Sequence, residues 1–584
     1  MKIHKGINKC ISIVLCLIMA LATGCTGEGN TITYVNLDEH MGIQNVGEYK
    51  GVAVIANGDK AGNGFVLDGA YYLPYEVVRE NIDGRYYWDE GAQLLTYASS
   101  KHIYDAYAGG TEYTKDGEAQ AHTRDIVVVV DNVPYIDKDY VLQMNSAMNV
   151  VTYDSPNRII ITTVDQMIQR EVSKDTRLNA DLSNTGRVVK DISAGTKVMV
   201  VESGEGWAKV ITEDGLTGYM DAGYLHNEAV VHIDKPTSWL ETEPYTYISM
   251  DKTVCLGWHQ MEYAGGNDSL NKVTSKATPL NVISPTWFKV KDGYGGISSL
   301  ASKSYVDKAH KKGLQVWGLI SDFNYDENKN YYINQVVKNT VSRRTLISNI
   351  MKEAEACGMD GINIDFEMIR LASAEGYVQF VRELAIECEK KGLVLSVDMY
   401  VPSGSNGYYD RQAIGEVADY LVIMGYDEHW AGCGEAGSVA SLPFVKKGIE
   451  DTLKEVPASR VINAVPFYCR VWYEDTLDNA PDGATIVKDP INGDYALSSK
   501  AVGMGDAKEL IEDNNGSLRW LEDLGQYYTE YYKGDRLARI WLEDKESLKQ
   551  KLNVMKEHGI AGVAGWKLGL DSSEAWDAIK EYMQ

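Results

Sequence analysis

The chain is poor in phenylalanine and in basic residues. Phenylalanine occurs 7 times against 38 tyrosines and 12 tryptophans, so most aromatic rings carry a polar edge. Such rings suit sugar stacking, although Tyr-rich β-structure also explains the bias. Lys and Arg total 57 against 83 Asp and Glu, a net charge of −26. Because a polyanion is repelled by phosphate backbones, we expect no nucleic acid partner.

Cysteines are few and widely spaced, and no CxxC pair occurs. Five follow Cys25 in the chain: Cys255, Cys357, Cys388, Cys433 and Cys469. Their odd number and spacing exclude a disulfide scaffold and indicate small buried hydrophobic residues. The histidines also lack ligand spacing, so we expect no metal site and no cofactor.

The N-terminus has a basic segment, Met1–Asn8, and an apolar stretch, Cys10–Thr23, that is short for a membrane span. The stretch ends in Leu-Ala-Thr-Gly-Cys at residues 21–25, which resembles the lipobox of bacterial lipoproteins, with Ala22 in the usual leucine position. The resemblance implies a signal peptide over residues 1–24, a lipidated Cys25 and a tether over 25–39. The protein would then be extracytoplasmic, anchored to the bacterial membrane and facing the wall. A plain secretory signal is the alternative.

Two small modules are predicted next. Residues 40–165 contain a faint duplication of β-branched runs between turns and predict an α+β or β-rich unit. They resemble the copper-amine-oxidase-like N-terminal domain of bacterial envelope proteins, and no copper is implied. Residues 170–228 alternate like short strands and resemble a bacterial SH3-type barrel, either a binder of cell-wall peptides or a passive spacer. A polar linker over 229–249 follows.

Residues 250–584 alternate short apolar strands with amphipathic helices, such as Arg343–Cys357 and Ala374–Lys391. Eight strands in a stretch of this length predict a (β/α)₈ TIM barrel. The predicted strands are Thr253–Trp258, Leu280–Ser284, Leu314–Ile320, Gly361–Glu367, Val394–Tyr400, Tyr420–Tyr426, Arg460–Phe467 and Gly562–Trp566.

The fourth predicted strand carries a polar face. Alternation places Asn363, Asp365 and Glu367 on one side, which would be the barrel lumen. Lining a lumen with carboxylates costs several kcal/mol unless they are hydrogen-bonded or used. The Cα atoms of the two acids would lie ~6.6 Å apart, so burial and repulsion should raise the pKa of one of them, as a general acid requires. An exposed acidic face on an antiparallel strand is the alternative.

The segment Asp-Gly-x-x-x-Asp-x-Glu at residues 360–367 resembles the signature of glycoside hydrolase family 18, the chitinase-like enzymes. Three later segments resemble that family in order: Met424–His429, Val465–Trp472 and Gly565–Trp566. Asn363 stands where many chitinases have Asp, and it resembles the spore-cortex-lytic branch of SleL- and YaaH-type proteins. The substitution leaves Asp365 with one fewer anionic neighbour to share a proton.

The resemblance implies a retaining mechanism assisted by the substrate's own acetamido group. Glu367 would protonate the glycosidic oxygen, Asp365 would orient the acetamido group, Asn363 would support Asp365, and Tyr426 would bond the acetamido carbonyl. The candidate sugar-binding residues are Trp566, Asp427, Arg470, Tyr468, Trp258 and Trp287. The flanking aromatic residues could equally be packing.

The leading hypothesis is an enzyme that cleaves β-1,4 linkages at N-acetylglucosamine in peptidoglycan or its fragments. A chitinase or chitooligosaccharide hydrolase is one alternative. A non-catalytic glycan-binding protein is another, although such family members usually lose the acid that Glu367 represents.

Overall fold

The structure is a computed structural model that describes residues 32–584 apart from 146–147, 183–185, 236–242 and 492. The predicted signal peptide, Cys25, the start of the tether and part of the linker lie outside the described residues. The described chain forms two compact units. One contains the described residues of 1–44, 52–60 and 149–234, and the other contains those of 45–51, 61–148 and 235–584. The predicted module boundaries, 40–165 and 170–228, stay predictions.

The elements before residue 235 are mainly short strands. In chain order they are β1 (Thr33–Tyr34), α1 (Leu37–Met41), β2 (Lys50–Ala56), β3 (Asp59–Leu67), β4 (Ala70–Pro74), α2 (Tyr75–Asn81), β5 (Tyr86–Asp89), β6 (Leu94–Ala98), β7 (Ile103–Tyr107), β8 (Glu112–Lys115), β9 (Glu118–Ala121), β10 (Val127–Val130), β11 (Val133–Asp137), α3 (Lys138–Met144), β12 (Asn149–Asp154), β13 (Asn157–Thr162), β14 (Gln166–Val172), β15 (Thr176–Asn179), β16 (Arg187–Ile192), β17 (Lys197–Gly204), β18 (Trp207–Thr212), β19 (Thr217–Asp221) and β20 (Leu225–His232).

The first unit contains an eight-stranded sheet of order β1-β16-β15-β19-β18-β17-β14-β20. Its neighbouring strands are short and largely antiparallel, in keeping with the short alternating strands predicted from the sequence. Alternate apolar residues, among them Leu178, Val198 and Val210, are buried in its core. In the second unit, residues 61–148 include a five-stranded antiparallel sheet, β5 to β9 in sequence order.

The elements after residue 243 alternate strands and helices. In chain order they are β21 (Val254–His259), α4 (Leu270–Val273), β22 (Val282–Pro285), β23 (Phe288–Val290), β24 (Ile297–Ser299), α5 (Lys303–His310), β25 (Gln315–Ser321), α6 (Ile333–Val336), α7 (Thr340–Cys357), β26 (Gly361–Asp365), α8 (Ala374–Lys391), β27 (Val394–Tyr400), α9 (Arg411–Val417), β28 (Tyr420–Met424), α10 (Leu442–Thr452), β29 (Val461–Pro466), β30 (Tyr468–Asp475), β31 (Thr485–Val487), β32 (Tyr495–Gly503), α11 (Met504–Asp513), β33 (Arg519–Leu521), β34 (Gln526–Lys533), β35 (Arg536–Leu542), α12 (Lys545–His558), β36 (Gly562–Trp566) and α13 (Ser573–Tyr582).

Eight parallel strands close into a barrel, which confirms the predicted fold. Their order around the barrel is β21-β22-β25-β26-β27-β28-β29-β36, and β36 pairs with both β29 and β21. An antiparallel six-stranded sheet, β31-β32-β30-β35-β34-β33, and α11 are inserted between β29 and β36. The sequence analysis assigned no element to this insertion.

The alternation on β26 sorts its residues between two cores. Ile362, Ile364 and Phe366 pack into the apolar layer between barrel and helices. The lumen has its own apolar core, formed by residues that include Leu256, Trp317 and Val422. Among the described residues, none of the helices combines the length and apolar character that crossing a bilayer requires.

Candidate active site

The fourth barrel strand delivers an amide and two carboxyl groups to one end of the lumen. Asn363 is 0% exposed and Asp365 is 8% exposed, and both lie on β26. Glu367 lies two residues beyond the end of the strand and is partly exposed. The carboxyl ends of parallel barrel strands are where catalytic groups gather, and the predicted trio is found there.

The Asn363 side chain is held by three hydrogen bonds from three other strands. Its Oδ1 accepts the Trp258 indole N–H at 2.9 Å and the Ser284 hydroxyl at 3.1 Å. Its Nδ2 donates to Oδ1 of Asp398 at 2.8 Å. Because the indole can only donate, the orientation of the amide is fixed.

A further buried acid, Asp322, holds the backbone at Glu367. Its two oxygens accept the backbone N–H groups of Glu367 at 3.0 Å and Met368 at 2.9 Å. Burial, with a smaller contribution from the nearby Glu367, raises the pKa of Asp322 to about 7, although these N–H groups oppose the increase. Asp322 therefore fixes the place at which the chain leaves β26.

Asp365 and Asp398 lie side by side on adjacent strands. Ile364 pairs with Val397 in the parallel register, so the next residue on each strand is the other's neighbour. Burial raises the pKa of Asp365 well above its usual range, and Glu367, Asp398 and Asp322 add to the effect. Position 363 contributes no charge, as its amide predicts, but Asp398 supplies an anionic neighbour to Asp365 from the next strand.

Glu367 lies among groups that keep it protonated more readily than a free glutamate. Burial raises the pKa of Glu367, the Tyr400 hydroxyl opposes this, and Asp427 adds to the increase. The Tyr400 hydroxyl also donates to the Glu367 backbone carbonyl at 3.3 Å. The sequence predicted a raised pKa for one acid of the pair, and the surroundings raise the pKa of both.

Tyr426, Asp427 and Tyr468 form the side of the site that follows β28 and β29. Burial, together with Asp365 and Asp398, raises the pKa of Tyr426 well above its usual range. Asp427 is exposed, and its Oδ1 accepts the Tyr468 hydroxyl at 2.5 Å. Burial and Asp427 raise the pKa of Tyr468, and the nearby Arg470, which donates to the Ser499 hydroxyl at 3.0 Å, opposes this increase.

The three predicted tryptophans have different surroundings. Trp566, at the end of β36, is partly exposed. The centroid of its ring lies 5.8 Å from that of Trp258, in an edge-to-face arrangement. Trp258 is only 1% exposed, so it has no free face for a sugar and instead acts as the donor to Asn363. Trp287 is also 1% exposed and packs against Tyr305. We therefore remove Trp258 and Trp287 from the candidate sugar platforms.

The histidines and cysteines near the barrel have structural surroundings. His259 is buried between the Tyr305 and Ser269 hydroxyls, at 2.8 and 2.9 Å. The five described cysteines are unpaired, and all but Cys433 are buried, as predicted. In the part of the chain that the structure describes, no group of three or more His, Cys, Asp or Glu is arranged to hold a metal ion.

Three functional candidates were missed by the sequence analysis: Asp322, Asp398 and Tyr400. The alternation rule applied to the fourth strand also places Ser396, Asp398 and Tyr400 on one face of β27, so that signal was present. Asp322 lies one residue past β25, and its role depends on a contact with the backbone of the next strand, which no pattern in the sequence shows.

The arrangement is suited to acid catalysis. Two carboxyl groups, Asp365 and Glu367, are next to each other in a buried site, and the influences that raise the pKa of each include a neighbouring acid. Among the described residues, no ion pair with Lys, Arg or His includes either of them. A proton can therefore be held near neutral pH and delivered to a leaving group beside an anion.

Comparison with known families agrees with this geometry. Residues 286–571 match the family described as "Glycosyl hydrolases family 18", and residues 183–226 match "Bacterial SH3 domain". The family match begins just after β22 and covers six of the eight barrel strands, β25 to β29 and β36, together with the insertion.

Relatives among curated proteins are distant. The "Uncharacterized glycosylase YvbX" of Bacillus subtilis is 27% identical over 54% of this chain and 89% of its own length. A "Cortical fragment-lytic enzyme" of the same species is 28% identical over 41% of this chain, and only 52% of its own length is spanned. The "Putative sporulation-specific glycosylase YdhD" of Bacillus subtilis is 27% identical to this chain, which spans 54% of its length.

Among solved structures, the spore cortex-lytic enzyme SleL of Bacillus cereus is 22% identical with a TM-score of 0.48, over 62% of this chain and 78% of that one. The closed barrel, the buried acids at its carboxyl end and the family matches lead to one assignment. The chain carries a glycosyl hydrolase family 18 domain, preceded by a bacterial SH3 domain.

Proposed function

We propose that the chain is a retaining glycoside hydrolase that cleaves β-1,4 linkages at N-acetylglucosamine in peptidoglycan or its fragments. The observation that carries this proposal is the pair formed by the buried Asp365 and the partly exposed Glu367, each with a raised pKa and an acidic neighbour. A purely structural pair of buried acids would need a compensating cation. A non-catalytic glycan-binding role is disfavoured because the acid Glu367 is retained.

In the proposed mechanism Glu367 first acts as the general acid. It protonates the glycosidic oxygen, while the 2-acetamido oxygen of the substrate attacks the anomeric carbon and displaces the leaving group. Water then opens the cyclic intermediate with Glu367 as the base, so the configuration is retained. Two displacements at the same carbon account for that outcome.

Asp365 and Tyr426 would serve the acetamido group. Asp365 would accept its N–H and offset the positive charge that develops, and Tyr426 would donate to its carbonyl oxygen. The pKa of Tyr426 is raised by burial and by the nearby acids, so its hydroxyl remains a donor across the working range. Trp566 would stack under the sugar, with Asp427, Tyr468 and Arg470 binding hydroxyl or acetamido groups around it.

Peptidoglycan is preferred over chitin because of the modules that accompany the barrel. A bacterial SH3 domain is present, and a relative is named for cortical fragment lysis. A di-N-acetylchitobiase and chitinases are also relatives, so chitooligosaccharides are the alternative substrate. We also propose that Cys25 is lipidated and tethers the enzyme to the membrane, facing the wall.

The test is hydrolysis of purified peptidoglycan fragments by the wild type and Glu367→Gln. We expect a decrease in kcat of ~10²-fold or more, because the substituted amide cannot donate the proton in the same way. Glu327→Gln is the matched control, since Glu327 is an exposed glutamate in the loop after β25. Equal rates for the wild type and Glu367→Gln would remove the assigned acid.

A second substrate set tests the role of the acetamido group. Chitotetraose and peptidoglycan fragments are each compared with their N-deacetylated forms. We expect cleavage to require an N-acetyl group at the sugar that provides the new reducing end, as identified by mass spectrometry of the products. Cleavage of deacetylated chains at an equal rate would contradict substrate assistance, and faster turnover of chitotetraose than of peptidoglycan fragments would favour the chitinase alternative.

A further inference from the structure

We propose that Asp398 is a positioning residue that provides, from the fifth barrel strand, the anionic partner of Asp365 that Asn363 cannot provide from the fourth. Asp365 and Asp398 would then hold one proton between them. The inference rests on the proposed function, because it concerns the acid assigned to the acetamido group. It explains how Asp365 keeps an acidic partner although position 363 holds an asparagine.

The hydrogen bonds of Asn363 show that its amide and Asp398 are a matched pair. The Trp258 indole and the Ser284 hydroxyl both donate to Oδ1, so the acceptor side of the amide is occupied. The NH₂ group must then meet an acceptor, and Oδ1 of Asp398 receives it at 2.8 Å. An aspartate at position 363 would instead place a carboxylate against the Asp398 carboxylate.

The register of the sheet keeps the charge next to Asp365. Asn363 pairs with Ser396 and Ile364 with Val397, so Asp398 flanks Asp365 directly on the adjacent strand. Asp398 is buried with 3% of its surface exposed. The second carboxyl group is therefore provided by the adjacent strand, beside Asp365, and not by position 363.

No basic group offsets this pair among the described residues that influence it. The titratable groups that face Asp365 are Asp322 beyond β25, Glu367 beyond β26, Tyr377 on α8, Tyr400 on β27 and Tyr426 beyond β28. Asp398 is in addition influenced by Glu367, Tyr377 and Tyr426. Two carboxyls whose titratable neighbours are only acids and phenols are stabilised when they share a proton.

Three variants test the proposal: Asp398→Asn, Asn363→Asp and the double exchange Asn363→Asp/Asp398→Asn. In Asp398→Asn the new amide can still accept from Asn363, but the charge is gone, so the acidic limb of the kcat profile should move to lower pH by about one unit or more. Asn363→Asp adds a third carboxylate, and we expect the limb to move to higher pH and kcat to fall ~10-fold or more. The double exchange restores one acid and one amide, with the acid accepting from Trp258 and Ser284.

The double exchange is decisive because a merely structural role would not produce rescue. We expect its pH profile to return to within about half a unit of the wild type, and its kcat to exceed that of Asn363→Asp by ~10-fold. If the two single effects simply combine in the double variant, or if Asp398→Asn leaves the pH profile unchanged, Asp398 is not the partner of Asp365.

A measurement without substrate separates this proposal from the proposed function. A carboxyl whose pKa is raised on folding destabilises the fold as pH increases, and Asp398→Asn removes that penalty. The unfolding temperature of Asp398→Asn, measured relative to that of the wild type, should therefore increase as the pH rises from 5 to 8, whether or not any glycan is cleaved. A difference that stays constant with pH would overturn the proposal, and absence of hydrolysis by every variant and the wild type would overturn only the proposed function.

Discussion

Two groups of buried acids in the same compact unit differ in their partners. Glu383, on α8, is 1% exposed, and its carboxylate receives Arg343 at 2.8 Å and Arg344 at 3.3 Å. Burial alone would raise the pKa of Glu383, but the two guanidinium groups hold it below its usual range. Asp365 is buried to a similar degree, has acids as neighbours, and its pKa is raised.

The difference separates acids that hold the fold together from acids that hold a proton. A buried carboxylate with matched cations stays ionised and ties α7 to α8, whereas buried acids without a cation share a proton among themselves. Arg344 also binds Asp105 at 2.7 Å, so the ionised cluster extends to residues 61–148 of the same unit. The comparison can be tested by changing each group in turn.

The largest effect is expected when the ionised cluster loses a cation. Arg343→Met leaves Glu383 buried with one guanidinium fewer and removes the contact of Arg343 with the Tyr87 ring. We expect the free energy of unfolding to fall by about 3–5 kcal/mol in urea titrations. The double variant Arg343→Met/Glu383→Gln should recover most of this loss. If Arg343→Met is as stable as the wild type, the ion pair does not stabilise the fold and the distinction between the two groups of buried acids is wrong.

At Asp365 we expect the opposite result: activity should fall while stability does not. Asp365→Asn should lower kcat by ~10²-fold, about 2.7 kcal/mol of activation free energy, because the anionic partner of the acetamido group is lost. The same change removes an uncompensated buried acid, so stability at pH 7 should be equal to or higher than that of the wild type. Steady-state kinetics and thermal unfolding measure the two effects, and a loss of stability comparable with that of Arg343→Met would contradict the assignment.

The dependence of stability on pH provides a smaller effect. Asp322 has a pKa of about 7 in the folded chain, above its unfolded value, so the stability it contributes is present at low pH and is lost as pH rises. Between pH 6 and 8 this loss amounts to about 1.4 kcal/mol. Asp322→Asn should remove this slope, even though losing a backbone acceptor shifts stability by a constant amount. Unfolding curves at several pH values with an unchanged slope would exclude Asp322 as the source.

The smallest effect is expected for Tyr468 and Asp427, which form the rim of the site. Tyr468→Phe removes the hydrogen bond to Asp427 and leaves the ring in place. We expect kcat/KM to fall ~3- to 10-fold, since one hydrogen bond contributes about 0.5–1.5 kcal/mol. An unchanged pH profile in this variant distinguishes the rim from the proton-sharing acids.

Much of the barrel follows from periodicity in the sequence. The strands Val394–Tyr400 and Gly562–Trp566 and the helix Ala374–Lys391 were predicted with their observed bounds. The helix ends where Gly392 takes φ 67°, a conformation that glycine adopts without strain. Helix α7 begins three residues before its predicted start because the Asn339 side chain caps it.

Other features depended on contacts that a single chain pattern does not contain. Trp287 follows the end of β22, where alternation no longer applies, and its ring packs outside the lumen. The insertion from β30 to β35 alternates like any antiparallel sheet, so nothing in it marks a departure from the barrel rhythm. The role of Asp398 required the register between two strands, which the spacing within each strand leaves undetermined.

The amide at position 363 has a consequence for judging distant relatives. Counting acids along one motif would score this chain as deficient, because the motif on β26 holds an asparagine. The register places Asp398 of β27 beside Asp365 of β26, so a carboxylate on the neighbouring strand can serve the same reaction centre. The chemical inventory of such enzymes is better compared ring by ring around the barrel axis than motif by motif along the polypeptide.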